Sequence, residues 1–131
     1  IIATPEATTL EQFRFANAVM SEGVFLGCKA ALPLMRKSGG GSIVNMSSVA
    51  SHLGYPVFFA YSAAKGAVRA MTKSLAVTCQ MQGDNIRCNS IHAGAIGQPS
   101  DVAYMVAYLI SDESRFVNGA EMVVDNALLV Q

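Results

Sequence analysis

Charged residues are scarce in this sequence of 131 residues. Asp, Glu, Lys and Arg make up 14% of the chain, and hydrophobic residues make up 52%, whereas about 25% of a typical soluble domain is charged. The hydrophobic excess predicts a large surface that a partner covers. Nine basic and nine acidic residues give no net charge. Because no run of Lys or Arg stands out either, binding to nucleic acid or to an anionic membrane is not expected.

Other absences exclude further classes of protein. Residues such as Lys29 and Arg36 interrupt the apolar stretches before they reach the ~20 residues that a bilayer crossing requires, so no membrane span is expected. The three cysteines have neither C-x-x-C spacing nor the density of a secreted disulfide scaffold, which favours reduced thiols in a cytoplasmic protein. Two histidines and three scattered cysteines do not predict a metal site.

Apolar periodicity predicts an alternation of helices and strands. A long helix is expected over residues 10–37, with Thr8 and Thr9 as cap candidates and Pro33 allowing a bend. Two further helices are expected over residues 59–82 and from a cap at Ser100 to residue 114, and strands over residues 42–48, 86–93 and 120–126. This order is typical of an α/β fold with a doubly wound parallel sheet, here of about three strands and three helices.

One pair of polar residues stands out in the second helix. Tyr61 and Lys65 are four positions apart, which places them on one face of a helix. An ammonium group nearby favours the phenolate and lowers the pKa of a tyrosine from about 10 toward neutrality, as a general acid/base requires. Ser48, at the end of the preceding strand, could hold the same substrate oxygen. Taken alone, the pair could also be a polar contact on a solvated helix face.

The context of this pair resembles a known family. The stretches GGGSIVNMSSVASHLGYPVFFAYSAAKGAVRAMTKSLA, IRCNSIHAGAI and SDESRFVNGAEMVVDN are similar to the C-terminal catalytic portion of the short-chain dehydrogenases/reductases. The resemblance implies a Rossmann-like three-layer fold and interconversion of a secondary alcohol and a ketone. It also implies that Ser48 polarises the substrate oxygen, that Tyr61 is the proton donor or acceptor, and that Lys65 lowers the pKa of that tyrosine. Family spacing favours Ser48 over Ser47 in this role.

The resemblance further implies a cofactor and partners. Hydride transfer would belong to NAD or NADP, with NAD favoured, and Tyr61, Lys65, Ala93, Gly94 and Ile96 would contact the cofactor. The substrate would be a small alcohol or ketone. Hydroxysteroid dehydrogenases look similar in the stretch SIHAG. The two long helices would pack against a sister subunit in a homodimer or homotetramer, which would cover the apolar surface.

The sequence also departs from the family pattern. The glycine-rich turn that holds the pyrophosphate of the cofactor has no counterpart, since the SGGG at residues 38–41 ends a helix and leads into a strand. Met20 stands where many members have an asparagine. Residues 1–131 are therefore expected to form one partial domain, with segments missing before Ile1 and between Ile96 and Gly97. An alternative is a truncated or inactive oligomerising or binding module without redox activity.

The two histidines are interpreted separately. His92, near Ser48 and Asp101 in the predicted fold, invites comparison with a hydrolase triad, but the sequence has no G-x-S-x-G elbow. A strand-end histidine that lines the cofactor site or packs in the core is favoured instead. His52 follows the serine loop and is expected to be a solvated loop residue.

Overall fold

The computed structural model describes residues 1–131 and alternates helices with strands. The helices are α1 (Leu10–Asn17), α2 (Gly23–Lys37), α3 (Phe59–Met81) and α4 (Pro99–Ile110), and the strands are β1 (Gly41–Met46), β2 (Ile86–Ala93) and β3 (Glu121–Val124). A π-helical turn, Ala18–Glu22, joins α1 to α2. The predicted order of elements is therefore confirmed.

The three strands form one parallel sheet in the order β1-β2-β3. Successive side chains of a strand point to opposite faces of the sheet, and β1 shows what covers each face. Asn45 Nδ2 donates a hydrogen bond to Thr72 Oγ1 of α3 (3.0 Å), whereas Ser42 Oγ donates to the Leu109 carbonyl of α4 (2.7 Å). Helices therefore cover both faces, which gives the predicted three-layer α/β fold.

Helix α3 packs closely on the sheet because its buried face is made mostly of small residues. Its buried positions recur every three or four residues, as expected for one face of a helix: Ala60, Ala64, Val68, Thr72, Ala76 and Cys79. They pack against β2, whose Cys88 is fully buried on this face of the sheet. This close packing places the first turns of α3 beside the carboxyl ends of the strands.

Two predicted helix boundaries need correction. Helix α4 begins at Pro99 with Gln98 as its N-cap and not at Ser100, because a proline suits the first helical position, where no N–H is required. Asp101 completes the cap by accepting a hydrogen bond from the Gln98 N–H (2.8 Å). The helix ends at Ile110 and not at residue 114, since Ser111 has an extended backbone conformation. The π-helical turn was not predicted.

The helical stretch Leu10–Lys37 bears on the expectation that no segment could span a membrane. By length and composition alone it is apolar enough to do so, with a mean hydropathy of 1.3 in its most apolar window. This is weak evidence for a membrane span, since helices of soluble proteins meet the same criterion, although the residues of that window are not buried here. Because α1 and the π-helical turn pack against α3, we interpret the stretch as an outer layer of the α/β fold.

A cluster of charged groups joins α3 to β3. Glu121 accepts a hydrogen bond from Arg69 Nε (2.8 Å) and pairs with Lys73 through the same oxygen. Burial opposes ionisation of Glu121, but the hydrogen bonds from Arg69 and Lys73 outweigh burial and lower its pKa to about 2. A second guanidinium nitrogen of Arg69 donates to the Ser51 carbonyl (3.2 Å). The cluster therefore also reaches the loop that follows β1.

The depressed pKa of Glu121 makes the contribution of this cluster pH-dependent. A carboxyl whose pKa falls from 4.5 to about 2 on folding stabilises the fold above pH 4.5, and this contribution is lost as the pH falls toward 2. We expect Glu121→Gln to lower the free energy of unfolding at pH 7 by about 1–2 kcal/mol. Urea unfolding at several pH values should show the difference between variant and parent shrinking below about pH 4.5. Glu113→Gln, at an exposed position without an ion pair, is the control, and an equal loss in both variants would contradict the account.

Candidate active site

Two serines follow β1, and their hydrogen bonds differ. Ser48 Oγ accepts a hydrogen bond from the Ala50 N–H (3.1 Å) and caps a short 3-10 turn, Val49–Ser51. Its own hydroxyl hydrogen remains available to donate. Ser47 Oγ donates its hydrogen to the Lys65 carbonyl (2.9 Å). Of the two serines, Ser48 is therefore the one with a proton free for a substrate oxygen.

Tyr61 and Lys65 lie near the start of α3 as neighbours, as their spacing predicts. Lys65 Nζ is 5.7 Å from the centroid of the Tyr61 ring, within cation–π range. The same nitrogen donates a hydrogen bond to the Met46 carbonyl at the end of β1 (2.8 Å). An ammonium group has three donors, so two remain for other partners. Burial lowers the pKa of Lys65.

A cavity of about 270 Å³ brings four of the predicted site residues together, and Lys65 is not part of its lining. Ser48 and Tyr61 line it together with Ala93, the last residue of β2, and Gly94, which follows it. In open α/β sheets, ligands bind in the crevice outside the carboxyl ends of the strands. Ile96 is not part of this lining; it is 80% exposed and lines a neighbouring cavity of about 530 Å³.

Two aromatic residues that sequence reasoning missed complete the wall of this cavity. Tyr55 and Phe58 line it beside Tyr61, and their rings form a row with centroids 5.8 Å and 5.9 Å apart. Such edge-to-face contacts between aromatic rings stabilise the fold by more than the burial of their apolar surface does. The signal in the sequence is the density of aromatic residues between positions 55 and 61. The cavity is consequently apolar apart from the hydroxyl groups.

His92 lies behind Ser48 in a network of polar groups. It is fully buried, and its Nδ1 is 3.2 Å from the Ser48 carbonyl oxygen. Its Nε2 is 2.8 Å from Ser90 Oγ, and the ring of His52 packs edge-on against it with centroids 4.5 Å apart. His52 is therefore not a solvated loop residue, since its side chain is only 19% exposed. Burial lowers the pKa of both imidazoles.

The fit of a nicotinamide nucleotide to these residues is partial. The free donors of Lys65 and the hydroxyl of Tyr61 suit the ribose and nicotinamide end of such a cofactor. The SGGG segment does not form a phosphate cradle. A Cβ at Gly40, whose φ is +131°, would lie 2.1 Å from the Asn85 carbonyl oxygen, so this glycine serves close contact between two loops. None of the 131 residues forms the glycine-rich turn that binds a pyrophosphate.

Comparisons with known proteins agree with this geometry. A family model described as enoyl-(acyl carrier protein) reductase matches residues 3–98. The chain is 37% identical over 153 residues to the NADP-dependent (R)-specific alcohol dehydrogenase of Lentilactobacillus kefiri, covering 96% of this chain and 61% of that protein. It is 34% identical over 154 residues to the 3-beta-hydroxysteroid dehydrogenase of Comamonas testosteroni, with coverages of 95% and 60%.

Solved structures show the same relationship. A protein from Burkholderia xenovorans assigned to the short-chain dehydrogenases/reductases superposes with a TM-score of 0.92 at 29% identity, covering 100% of this chain and 60% of that one. The chain thus spans about three fifths of the length of its relatives. The 153 aligned positions also exceed its 131 residues, so the first relative has residues without a counterpart here. The chain belongs to the short-chain dehydrogenase/reductase family.

Proposed function

We propose that the protein is an NAD(P)-dependent oxidoreductase that interconverts a secondary alcohol and a ketone by hydride transfer. The observation that carries this proposal is the meeting of Ser48 and Tyr61 in one cavity, with Lys65 beside the tyrosine ring. Ser48 has a free hydroxyl hydrogen, and Lys65 has two free donors. Two of the family relatives are named as dehydrogenases of alcohols and hydroxysteroids.

The residues of the chain have separate roles in this reaction. The nicotinamide, when bound, supplies or accepts the hydride. In the direction of reduction, the Ser48 hydroxyl donates a hydrogen bond to the carbonyl oxygen and Tyr61 gives that oxygen a proton. The Lys65 ammonium stabilises the resulting phenolate, and its free donors would hold the ribose hydroxyls of a bound cofactor. In the direction of oxidation, Tyr61 takes the proton back from the alcohol.

The lining of the cavity indicates the class of substrate. Apart from the hydroxyl groups of Ser47, Ser48, Tyr55 and Tyr61, the side chains that line the cavity offer a ligand only apolar surface. A small molecule with one carbonyl or hydroxyl group on an apolar frame suits this arrangement. The cofactor is NAD or NADP. The Lentilactobacillus relative is named for NADP, so both cofactors belong in every assay.

The exposed apolar faces of the long helices support a homodimer or homotetramer. Phe25, Leu26 and Leu34 of α2 are each at least half exposed, as are Val77 and Met81 of α3. A groove of about 500 Å³ runs between the two helices and is lined mostly by apolar residues. Apolar surface of this extent is normally covered by a partner, and a second copy of the same chain is the simplest one.

The alternative of a binding module without redox activity rests on the missing pyrophosphate cradle and on the same exposed face. Titration of the fluorescence of NADH and of NADPH separates the two functions. Saturable binding of either cofactor by the full-length protein favours the oxidoreductase. If the protein binds neither NADH nor NADPH, the binding module is favoured.

The assignment of the proton donor is tested by replacing Tyr61. Because general acid/base catalysis contributes about 10²- to 10⁴-fold, we expect Tyr61→Phe to lower kcat at least about 100-fold while binding of the nicotinamide persists. Turnover of secondary alcohols and ketones by the full-length protein is the measurement. Tyr104→Phe, on the exposed side of α4, is the matched control and should keep full activity. Near-parental turnover of Tyr61→Phe would refute the mechanism.

The assembly is tested by placing a charge on the helical face. We expect Phe25→Glu to convert the dimer or tetramer into smaller species, because a buried unpaired carboxylate is costly at an interface. Light scattering after size-exclusion chromatography measures the mass. Ile2→Glu, at an exposed apolar position outside the long helices, should leave the mass unchanged. A parental mass for Phe25→Glu would place the interface elsewhere.

A further inference from the structure

His92 lies behind Ser48 and has no role so far in the proposed reaction. It is fully buried near the end of β2. The cavity is lined by Ala93 and Gly94, which follow it, and not by His92 itself. This side chain can therefore act on a substrate only through a neighbouring residue. Since a buried imidazole needs hydrogen-bond partners for its nitrogens, those partners indicate which neighbour it serves.

The surroundings of His92 fix which ring nitrogen carries the proton. Nδ1 is 3.2 Å from the Ser48 carbonyl oxygen and 2.9 Å from Ser51 Oγ. The carbonyl can only accept, and Ser51 Oγ gives its own proton to that carbonyl (2.7 Å). Nδ1 therefore donates, and Nε2 accepts a hydrogen bond from Ser90 Oγ (2.8 Å). Burial lowers the pKa of His92, so the ring is neutral at pH 7 and has this one tautomer.

The bond from His92 differs from the other bonds to the Ser48 carbonyl. The N–H of Ser51 (3.0 Å) and its Oγ donate to the same oxygen, but Ser51 belongs to the same turn and moves with it. His92 belongs to β2. Of these bonds, the one from His92 is therefore the one that fixes the Ser48 carbonyl relative to the sheet. It also ties Ser48 to the strand whose last residue, Ala93, lines the cavity.

Neighbouring groups hold the His92 ring in this orientation. The ring of His52 packs edge-on against it with centroids 4.5 Å apart, and His52 Nε2 is 3.1 Å from His92 Nδ1. His52 is in turn 3.3 Å from Glu121 Oε2, and the carboxylate of Glu121 is fixed by ion pairs to α3. The His92 ring therefore cannot turn away from Ser48 without losing contacts at both of its nitrogens.

We propose that His92 is a positioning residue that aims the Ser48 hydroxyl at the substrate oxygen. It holds the Ser48 carbonyl by its Nδ1–H, and the backbone fixed in this way sets the direction of Ser48 Oγ. Small displacements of a catalytic group are costly, since an error of about 1 Å can lower a rate about 100-fold. The inference rests on the proposed function, because the aim of Ser48 matters only if Ser48 binds a reacting oxygen.

The test compares two amides at position 92 of the full-length protein. In His92→Asn the amide nitrogen is as many bonds from Cα as Nδ1 is, so it can still donate to the Ser48 carbonyl. In His92→Gln the amide lies one bond further out, and this donor is lost. We expect His92→Gln to lower kcat for ketone reduction about tenfold and His92→Asn to stay within about threefold of the parent. The dissociation constants of NADH and NADPH should be unchanged in both variants, and circular dichroism verifies that each is folded.

A double-mutant cycle separates the positioning of Ser48 from a general structural role. If His92 acts through Ser48, His92→Gln has no further effect on kcat once Ser48→Ala has removed the hydroxyl. Equal losses with and without Ser48→Ala, equal losses in His92→Asn and His92→Gln, or parental kcat in His92→Gln would overturn the inference and leave the proposed function standing. Absence of turnover by the parent protein would refute the proposed function, and the inference with it.

Imidazole ¹⁵N NMR of the parent protein is a second readout, which needs no substrate. The signals that are absent from His92→Asn identify those of His92. We expect Nδ1 to carry the proton and Nε2 to lack it at pH 7. A proton on Nε2 would mean that Nδ1 does not donate to the Ser48 carbonyl, and it would overturn the inference whatever the turnover.

Discussion

The candidate site depends on two hydrogen bonds that fasten Lys65 to the end of β1. The Ser47 hydroxyl donates to the Lys65 carbonyl, and the Lys65 ammonium donates to the Met46 carbonyl. These bonds fix the start of α3 against the sheet, and Tyr61 lies one turn before Lys65. They also satisfy Ser47, so that the neighbouring Ser48 is the serine with a free proton. Both the position of the tyrosine and the choice of serine follow from this pair of bonds.

A second set of contacts supports the same turn from the other side. The Ser48 carbonyl accepts a hydrogen bond from Ser51 Oγ and lies beside His92. Arg69 connects Ser51 to Glu121, and the ion pairs of Glu121 hold α3 to β3. A disturbance of Glu121 is therefore expected to reach Ser48 through these hydrogen bonds, although the two residues belong to different elements.

Much of the fold could be predicted from the sequence, and so could the closeness of Tyr61 and Lys65. The spacing of apolar residues predicted the order of helices and strands. Side chains return to the same face every two residues in a strand and every 3.6 residues in a helix, so this spacing depends only on local backbone geometry. The four-residue spacing of Tyr61 and Lys65 likewise predicted that the two side chains are neighbours, because residues four apart share one face of a helix. The family resemblance selected Ser48 over Ser47, and the structure adds a physical reason through the hydrogen bonds of the two hydroxyls.

Features that depend on contacts distant in sequence could not be predicted. His52, His92 and Glu121 are widely separated along the chain, and the parallel pairing of β1, β2 and β3 brings them together. The burial of His52 and the aromatic wall of Tyr55 and Phe58 have the same origin. The π-helical turn Ala18–Glu22 contains neither glycine nor proline that would mark it in the sequence. The preference for NAD or NADP depends on a residue at the ribose that this chain does not supply.

Transfer of deuterium tests the central claim most directly. The full-length protein would reduce an apolar ketone with nicotinamide deuterated at C4, and NMR of the alcohol product would locate the label. The account predicts deuterium on the carbinol carbon, because the hydride comes from the nicotinamide. An alcohol without deuterium on carbon, or no reduction with either cofactor, would contradict the account.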